Sequence, residues 1–244
     1  IGVQNVYILN DLESSAFAIP YLKGSDFMTI YKSDSPLNGN AAVIAPGTGL
    51  GEAAMYWDGK KYHPFATEGG HCDFGPRDQT DIDLLIYLQS KFGHVSWERL
   101  VSGLGIINIF NFLLSAGRYE IDSDFTREIF EGDVAANISV AASKGIPIAQ
   151  NAMYLFIKYL AVESTNMALK FKAMGGLYIG GGIIPKIWTS EYANIFMEHY
   201  FHVGRMAPLL RRIPVTIVLN QKSALLGAAH FICGQTESKV FEES

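Results

Sequence analysis

The fold is decided by the stretch Ala41-Ala-Val-Ile-Ala-Pro-Gly-Thr-Gly-Leu-Gly51, in which an apolar run of strand character opens into a glycine-rich loop. Glycine has no Cβ, so it lets a backbone turn tightly and come close to a ligand. Successive N–H groups in such a loop form a concave surface that suits phosphate oxygens. The loop contains no Lys and is therefore not a Walker-type phosphate loop, which requires Gly-Lys-Ser/Thr. By itself the stretch indicates either another kind of phosphate site or a tight turn.

The composition is that of a folded globular protein. Of the 244 residues, 49% are hydrophobic and 18% are charged, which is enough for a large core. The net charge of −5 and the lack of a Lys/Arg cluster argue against binding to a nucleic-acid backbone. The two cysteines, Cys72 and Cys233, form neither a CxxC motif nor a disulfide framework. They favour a reducing, cytoplasmic compartment.

One segment, residues 100–117, approaches the length of a membrane-spanning helix, about 20 residues, and has no charged side chain. It contains Ser102, Asn108, Asn111 and Ser115, and side chains of this kind are poorly tolerated in hydrocarbon. The segment therefore predicts a buried core helix, and we predict no membrane contact.

Hydrophobic periodicity predicts strands towards both ends of the chain and helices in its centre. The predicted strands are 6–9, 41–45, 50–57, the middle of 175–182 and 214–220, with a hairpin turn at Asp58-Gly59. The predicted helices are 12–22, one capped by Asp78 or Thr80 and closed by Gly93, one capped by Ser96, an amphipathic helix at 146–172, and 223–233. Residues 33–40 are rich in turn formers and predict a loop. This order indicates an α/β core interrupted by a helical insertion.

Asn10 and Asp11 follow the first predicted strand. Ligands of α/β sheets bind outside the carboxyl ends of strands, where a carboxylate can accept a proton and an amide can both donate and accept hydrogen bonds. Asn and Asp are also favoured N-caps of helices. From these two residues alone, a cap is the simpler interpretation.

The segment Thr67-Glu-Gly-Gly-His-Cys-Asp-Phe-Gly-Pro76 places a carboxylate and an imidazole on either side of two glycines. The backbone can curl there and direct Glu68 and His71 at one small ligand, as a polyol site requires. A self-contained structural turn remains an alternative. No second His or Cys stands nearby at the spacing of a zinc site, so we assign no metal ligand.

Glu98 lies in His94-Val-Ser-Trp-Glu-Arg-Leu-Val-Ser-Gly103. A Glu in the first turn of a helix is usually a favourable partner of the helix dipole and nothing more. Glu98 therefore gains a functional interpretation only in combination with the other segments.

That combination resembles the bacterial-type glucokinase family in order and spacing over essentially the whole chain. Five segments carry the resemblance: Ile8-Leu-Asn-Asp-Leu-Glu13, Ala45-Pro-Gly-Thr-Gly-Leu-Gly51, Glu68-Gly-Gly-His-Cys-Asp-Phe-Gly-Pro76, Trp97-Glu-Arg-Leu-Val-Ser-Gly103 and Gly175-Gly-Leu-Tyr-Ile-Gly-Gly-Gly-Ile-Ile-Pro185. In order, they look like the family's catalytic-aspartate segment, its second phosphate motif, its two sugar-binding segments and its adenosine motif.

The resemblance implies the α/β fold shared by hexokinases, actin and acetate kinase, in which two ribonuclease-H-like domains close over ATP and substrate. It implies that residues 1–22 are a remnant of the small α/β domain with the catalytic Asp. Residues 23–211 would then be the large α/β domain with its helical insertion, and residues 212–244 would return to the small domain.

The resemblance also implies a role for each site residue in an ATP- and Mg²⁺-dependent glucokinase. Asp11 would accept the proton of the glucose 6-hydroxyl. Asn10, Glu68, His71 and Glu98 would bind the sugar hydroxyls. The phosphates and the adenosine would lie against two glycine-rich loops, formed by Gly47, Thr48, Gly49 and Gly51 and by Gly180, Gly181 and Gly182.

Two family features are absent from this sequence. The first phosphate motif, Asp-x-Gly-Gly-Thr, is not found, and we expect it upstream of Ile1 with the rest of the small domain; we expect the chain alone to be impaired. The Cys-rich zinc motif of the related repressor and sugar-kinase group is also missing. Two alternatives stay open: a kinase for another hexose or an N-acetylhexosamine, and a non-catalytic sugar-binding fragment. The family resemblance further suggests a homodimer.

Overall fold

The computed structural model describes residues 6–33, 35–117, 119 and 123–242, and the side chains up to residue 234. Within this part of the chain, six strands form one mixed sheet in the order β1-β6-β5-β2-β3-β4. Their bounds are Phe27–Tyr31, Ala41–Pro46, Leu50–Trp57, Tyr62–Thr67, Gly176–Ile179 and Val215–Val218 for β1 to β6. The neighbours β2, β5 and β6 are parallel, and the other pairs are antiparallel.

Ten helices accompany this sheet in the described residues. Helices α1 to α5 span Asp11–Ala18, Gln79–Phe92, Gly103–Ser115, Ser123–Ile129 and Val134–Ser143. Helices α6 to α10 span Pro147–Lys170, Ile184–Ile187, Ser190–Phe201, Ala207–Leu210 and Ser223–Glu242. The predicted α/β class is confirmed. The division at residues 22 and 211 stays a prediction, and the sheet continues across residue 211 because β6 pairs with β5.

Both faces of β2 are covered, which explains its uninterrupted apolar sequence. Side chains alternate between the two faces of a strand. Ala42 and Ile44 face the larger core, which contains α3, α5, α6 and α8, whereas Ala41 and Val43 pack with α1. The strand predicted at 41–45 is thus confirmed as the centre of the fold.

The predicted helix 146–172 exists as α6, but the prediction that it is amphipathic is wrong. Its polar residues Lys158, Glu163, Ser164 and Thr165 are as buried as its apolar ones. The helix lies between the sheet and three other helices, α3, α5 and α8, so almost every side of it faces protein. Its polar groups are accommodated by specific partners; Lys158 Nζ, for example, lies 2.7 Å from Oδ1 of Asp81.

The strand predicted at 6–9 is also wrong. These residues have no regular structure, and Val6 and Ile8 are 78% and 96% exposed. An apolar run favours burial, but a strand also needs a neighbour for its backbone hydrogen bonds, and no described strand lies beside this segment. The loop predicted at 33–40 is confirmed for its described residues. The sheet also has two edge strands that were not in the predicted set, β1 and β4.

Several local predictions are confirmed. Strand β3 has the predicted bounds, and the turn after it is held by Asp58 Oδ1, which accepts from the N–H groups of Lys60 and Lys61 at 2.7 and 2.8 Å. Asp78 caps α2, and Gly93 ends it with a φ of +69°. The helix predicted to begin at Ser96 is wrong, because Ser96 precedes only a 3₁₀ turn, Trp97–Arg99, and its side chain makes no cap hydrogen bond.

The apolar segment 100–117 contains α3, whose residues Ile106, Ile109 and Phe110 are buried in the larger core. Among the described residues, no helix combines the length and the apolar character needed to cross a membrane.

Candidate active site

One cavity of about 500 Å³ contains every residue that the sequence assigns to the site. Five of them contribute side chains, and we call this set the side-chain wall: Asn10, Asp11, Glu68, His71 and Glu98. The others belong to residues 47–51 and 180–182, which we call the glycine wall.

The sheet explains why segments distant in sequence meet here. Strands β2, β5 and β6 are parallel, and β4 runs in the same direction because β3 lies antiparallel between β2 and β4. Their carboxyl ends therefore share one edge of the sheet. The two loops of the glycine wall follow β2 and β5, and the segment 68–71 follows β4. Ligands bind at this edge in open α/β sheets.

Asn10 and Asp11 are brought to the cavity by the start of α1. Asn10 is the N-cap, and its Oδ1 accepts from the N–H groups of Leu12 and Glu13 at 2.9 and 3.2 Å. Oδ1 of Asp11 accepts from the N–H of Leu12 at 2.8 Å. Both residues are exposed. The cap is thus real, and it leaves the Asn10 amide nitrogen and the second Asp11 oxygen available to a ligand.

Within the glycine wall, an added Cβ would collide with a neighbour at two glycines. A Cβ on Gly49 would lie 2.4 Å from Oε2 of Glu98, and one on Gly181 would lie 2.3 Å from the carbonyl oxygen of Pro46. Gly181 also has a φ of +81°, a conformation that favours glycine. At Gly47 a Cβ would meet nothing within 4 Å, and at Gly182 only Gln221, at 4.0 Å. At these two positions packing does not require glycine, and the space is open to a ligand.

In the loop at residues 47–51, the backbone is hydrogen-bonded at Gly47, whereas the N–H groups in the middle of the loop have no partner within the described residues. The N–H of Gly47 donates to the carbonyl of Gly49 at 2.8 Å, and the carbonyl of Gly47 accepts from the N–H of Gly103 at 2.9 Å. The N–H groups of Thr48 and Gly49 donate to no acceptor in the part of the chain that the structure describes. Free N–H groups in such a loop are suited to an anion.

Glu98 connects the two walls. Its Oε2 accepts from the N–H of Leu50 at 3.0 Å, and the same oxygen occupies the place where Gly49 would carry a Cβ. The side chain is half-buried. Glu98 therefore anchors the loop at 47–51, and its Oε1, which makes no hydrogen bond within the described residues, is available to a ligand.

Glu68 and His71 are largely exposed, with side-chain exposures of 82% and 62%. Their closest polar atoms, Oε2 and Nε2, are 3.9 Å apart. The backbone of the segment that carries them nevertheless packs closely against β3. A Cβ on Gly70 would lie 2.3 Å from the carbonyl oxygen of Leu50, and one on Gly69 would lie 2.0 Å from Oε2 of Glu52.

The cavity also contains residues that the sequence analysis missed. Ser15 lies one helical turn after Asp11, and Asn220 and Gln221 lie just after β6, beyond Leu219. The rule that ligands bind beyond the carboxyl ends of strands would have found the latter two. Oδ1 of Asn220 accepts from the N–H of Lys222 at 2.8 Å, within the connection between β6 and α10.

Comparison with known proteins gives a consistent result. The family model described as Glucokinase matches residues 1–235. Glucokinases from Nostoc sp. and Nostoc punctiforme are 37% and 35% identical to this chain over 243 residues, which is 94% of this chain and 71% of each relative. A crystal structure of glucokinase from an Antarctic psychrotroph is 30% identical and covers 93% of this chain and 68% of its own, with a TM-score of 0.79. The expected actin-like kinase fold is confirmed by this match.

Proposed function

This chain belongs to the glucokinase family, and on that premise we propose that it transfers the γ-phosphoryl group of ATP to the 6-hydroxyl of glucose. The observation that carries the proposal is the shared cavity, in which five hydrogen-bonding side chains face two glycine-rich loops. Such a cavity can hold a polyol and a polyphosphate side by side, as phosphoryl transfer requires.

Asp11 is the proposed general base. It accepts the proton of the 6-hydroxyl while the hydroxyl oxygen attacks the γ-phosphorus and the bond to the β-phosphate oxygen breaks. Its exposure and its position at the rim of the cavity allow direct access to a bound sugar. General-base catalysis of this kind contributes about 10²- to 10⁴-fold to the rate.

The rest of the side-chain wall selects the sugar. Asn10, Glu68, His71 and Glu98 offer donors and acceptors that match ring hydroxyls. A site whose polar groups are matched to hydroxyls rejects a ligand that lacks one by about 10⁴-fold. Sugar preference should therefore reside in these four residues.

The glycine wall is the proposed phosphate and adenosine surface. The N–H groups of Thr48 and Gly49 would bind phosphate oxygens, and Gly47 and Gly182 would leave room for close approach. Most of the catalysis in phosphoryl transfer comes from positioning and from neutralising charge.

The residues present fit a Mg²⁺ ion that enters with the nucleotide. Among the described residues, no three His, Cys, Asp or Glu side chains form a metal-binding group. Mg²⁺ usually keeps several waters and is held largely by substrate phosphates, so the cavity needs no preformed group of metal-binding side chains. When bound, the ion neutralises phosphate charge.

A coupled assay with ATP across a panel of sugars tests the proposal. We expect turnover with glucose, a product phosphorylated at the 6-position by phosphorus NMR, and little activity with N-acetylglucosamine. Turnover with the N-acetylated sugar in preference to glucose would assign the chain to a different substrate. No sugar-dependent consumption of ATP, together with retained glucose binding, would favour a sugar-binding role.

We further propose a cytoplasmic location and a homodimer. The resemblance described above suggests the homodimer, and the two exposed cysteines, Cys72 and Cys233, suit a reducing compartment. Sedimentation equilibrium would measure the oligomeric state.

A further inference from the structure

Two carboxyl groups lie buried against each other beneath the segment that carries Glu68 and His71. Glu52 on β3 is 2% exposed, and Glu163 on α6 is fully buried. The two carboxyl groups lie within reach of a hydrogen bond to each other. An ionised carboxylate only accepts hydrogen bonds, so this contact requires a proton on one of the two groups.

The neighbours of the pair indicate where that proton resides. Oε2 of Glu163 accepts from Nδ2 of Asn166 at 2.7 Å, and Nζ of Lys170 lies 3.7 Å from Oε1. Arg77 also interacts electrostatically with Glu163. Burial raises the pKa of Glu163, and Asn166 and Lys170 oppose that rise. Burial and the charge of Glu163 raise the pKa of Glu52 to about 8, so Glu52 is the protonated partner at neutral pH.

Hydrogen bonding within the pair also explains two otherwise unpaired atoms. Among the residues that the structure describes, Oε1 of Glu52 and Oε1 of Glu163 have no hydrogen-bond donor. Buried polar atoms without partners are costly. A proton shared between the two carboxyl groups supplies the missing donor.

Glu52 supports the sugar-binding segment directly. Its Oε2 lies only 2.0 Å from the position that a Cβ on Gly69 would occupy. Its carbonyl oxygen accepts from the hydroxyl of Thr67 at 2.9 Å, and the oxygen of that hydroxyl accepts from the N–H of Gly69 at 3.3 Å. Both the backbone and the side chain of Glu52 thus set the path of the chain just before His71.

We propose that Glu52, kept neutral by its hydrogen bond to Glu163, is a positioning residue that holds the segment 68–71 in its sugar-binding geometry. The inference rests on the proposed function. When the shared proton is lost, two negative charges face each other in a buried site beneath Gly69. Their repulsion displaces the segment that lies on them, and Glu68 and His71 move away from the sugar.

Hydrogen exchange of the amides in residues 68–72 tests the support itself, without any ligand. The variant Glu52→Gln keeps a neutral side chain of the same shape that can still donate to Glu163. We expect equal exchange in wild type and variant at pH 6.5. At pH 9, one unit above the pKa of about 8, about one molecule in ten keeps the proton, and we expect the wild type to exchange up to about tenfold faster.

Comparison at the same pH cancels the intrinsic pH dependence of exchange. Glu191→Gln, on the exposed start of α8, makes the same chemical change far from the pair and should match the wild type at both pH values. Equal exchange of wild type and Glu52→Gln at pH 9 would overturn the proposal. Faster exchange of Glu52→Gln already at pH 6.5 would also overturn it, because a neutral side chain would then be insufficient.

Glucose titrations of the same proteins by calorimetry test the link to the sugar. We expect the ratio of wild-type to Glu52→Gln dissociation constants to rise from about 1 at pH 6.5 to about 10 at pH 9, following the loss of the proton. His71 and the other titratable groups are present in both proteins, so the ratio isolates Glu52. An unchanged ratio together with altered exchange would contradict the positioning role and leave the kinase assignment intact. Absence of glucose binding by every protein at pH 6.5 would instead contradict the proposed function, and the exchange result would still decide whether Glu52 supports the segment.

Discussion

The two walls of the cavity differ in what they offer a ligand. The side-chain wall presents carboxylates, an amide and an imidazole, whereas the glycine wall presents backbone N–H groups and empty space. Substitutions that shorten a side chain should impair ligand binding by the side-chain wall. Substitutions that add a side chain should impair ligand binding by the glycine wall. Glu98 connects the two, because it is a member of the side-chain wall and its carboxylate accepts a hydrogen bond from the backbone of the glycine wall. The walls are therefore not independent.

The largest expected effect is that of Asp11→Asn in the side-chain wall. The change removes the proton acceptor, keeps the shape and leaves the Asn10 cap in place. We expect kcat to fall about 10²- to 10⁴-fold, whereas the dissociation constant for glucose changes by less than about tenfold, or 1.4 kcal/mol. Steady-state kinetics and calorimetry measure the two quantities. Near-normal turnover would remove Asp11 from the mechanism.

Glu98→Ala comes next. The variant loses a charged acceptor for a sugar hydroxyl, an interaction that contributes about 1.5–3 kcal/mol. We therefore expect the KM for glucose to rise about 10- to 100-fold, with a smaller change in the KM for ATP, in assays with each substrate varied in turn. A change confined to ATP would place Glu98 with the nucleotide instead.

The pair Gly49→Ala and Gly47→Ala tests whether the walls are coupled. The Cβ that Gly49→Ala adds would collide with Oε2 of Glu98, whereas the Cβ that Gly47→Ala adds would meet nothing within 4 Å of the protein. We expect Gly49→Ala to raise the KM for glucose about tenfold, although the residue lies in the glycine wall. This factor corresponds to the loss of about one hydrogen bond between Glu98 and the sugar. Gly47→Ala should raise only the KM for ATP, by a similar factor. The same kinetic pattern in both variants would show that the contact with Glu98 has no influence on the sugar.

The smallest effect concerns stability. Because the pKa of Glu52 is raised from 4.5 to about 8 in the folded protein, the folded state binds more protons than the unfolded state between these values. Its stability therefore falls as pH rises through this window and levels off above pH 8. Between pH 6 and pH 7, we expect the wild type to lose on the order of 1 kcal/mol relative to Glu52→Gln. Urea unfolding at each pH measures this difference; parallel pH profiles would show that Glu52 does not carry the proton.

Strands β2, β3, β5 and β6 could be predicted because their sequence signals are local. Ala41–Pro46 is a continuous apolar run, and the turn at Asp58 closes a hairpin of adjacent segments. Residues 6–9 carry a similar apolar signal but have no described strand beside them. Helix α6 was predicted from its periodicity, but its burial depends on three other helices that the local sequence does not reveal.

The same distinction applies to the site. Its glycines and carboxylates stand in short motifs, so the sequence indicated them and the resemblance gave them roles. Asn220 and Gln221 stand in no motif; they reach the cavity only because β6 is parallel to β5. Glu52 could not be recognised as a support, because its partner Glu163 lies on a distant helix and neither residue has a sequence signature. Tertiary structure alone brings such pairs together.

The most direct test of the sugar site is a calorimetric titration of glucose into the wild-type chain and into the double variant Glu68→Ala/His71→Ala. Both side chains are largely exposed, so their removal should leave the unfolding temperature unchanged, and any effect on binding reports on the sugar. We predict that the wild type binds one glucose per chain and that the double variant shows no measurable binding. Equal affinity in the two proteins would contradict the assignment of the side-chain wall to the sugar.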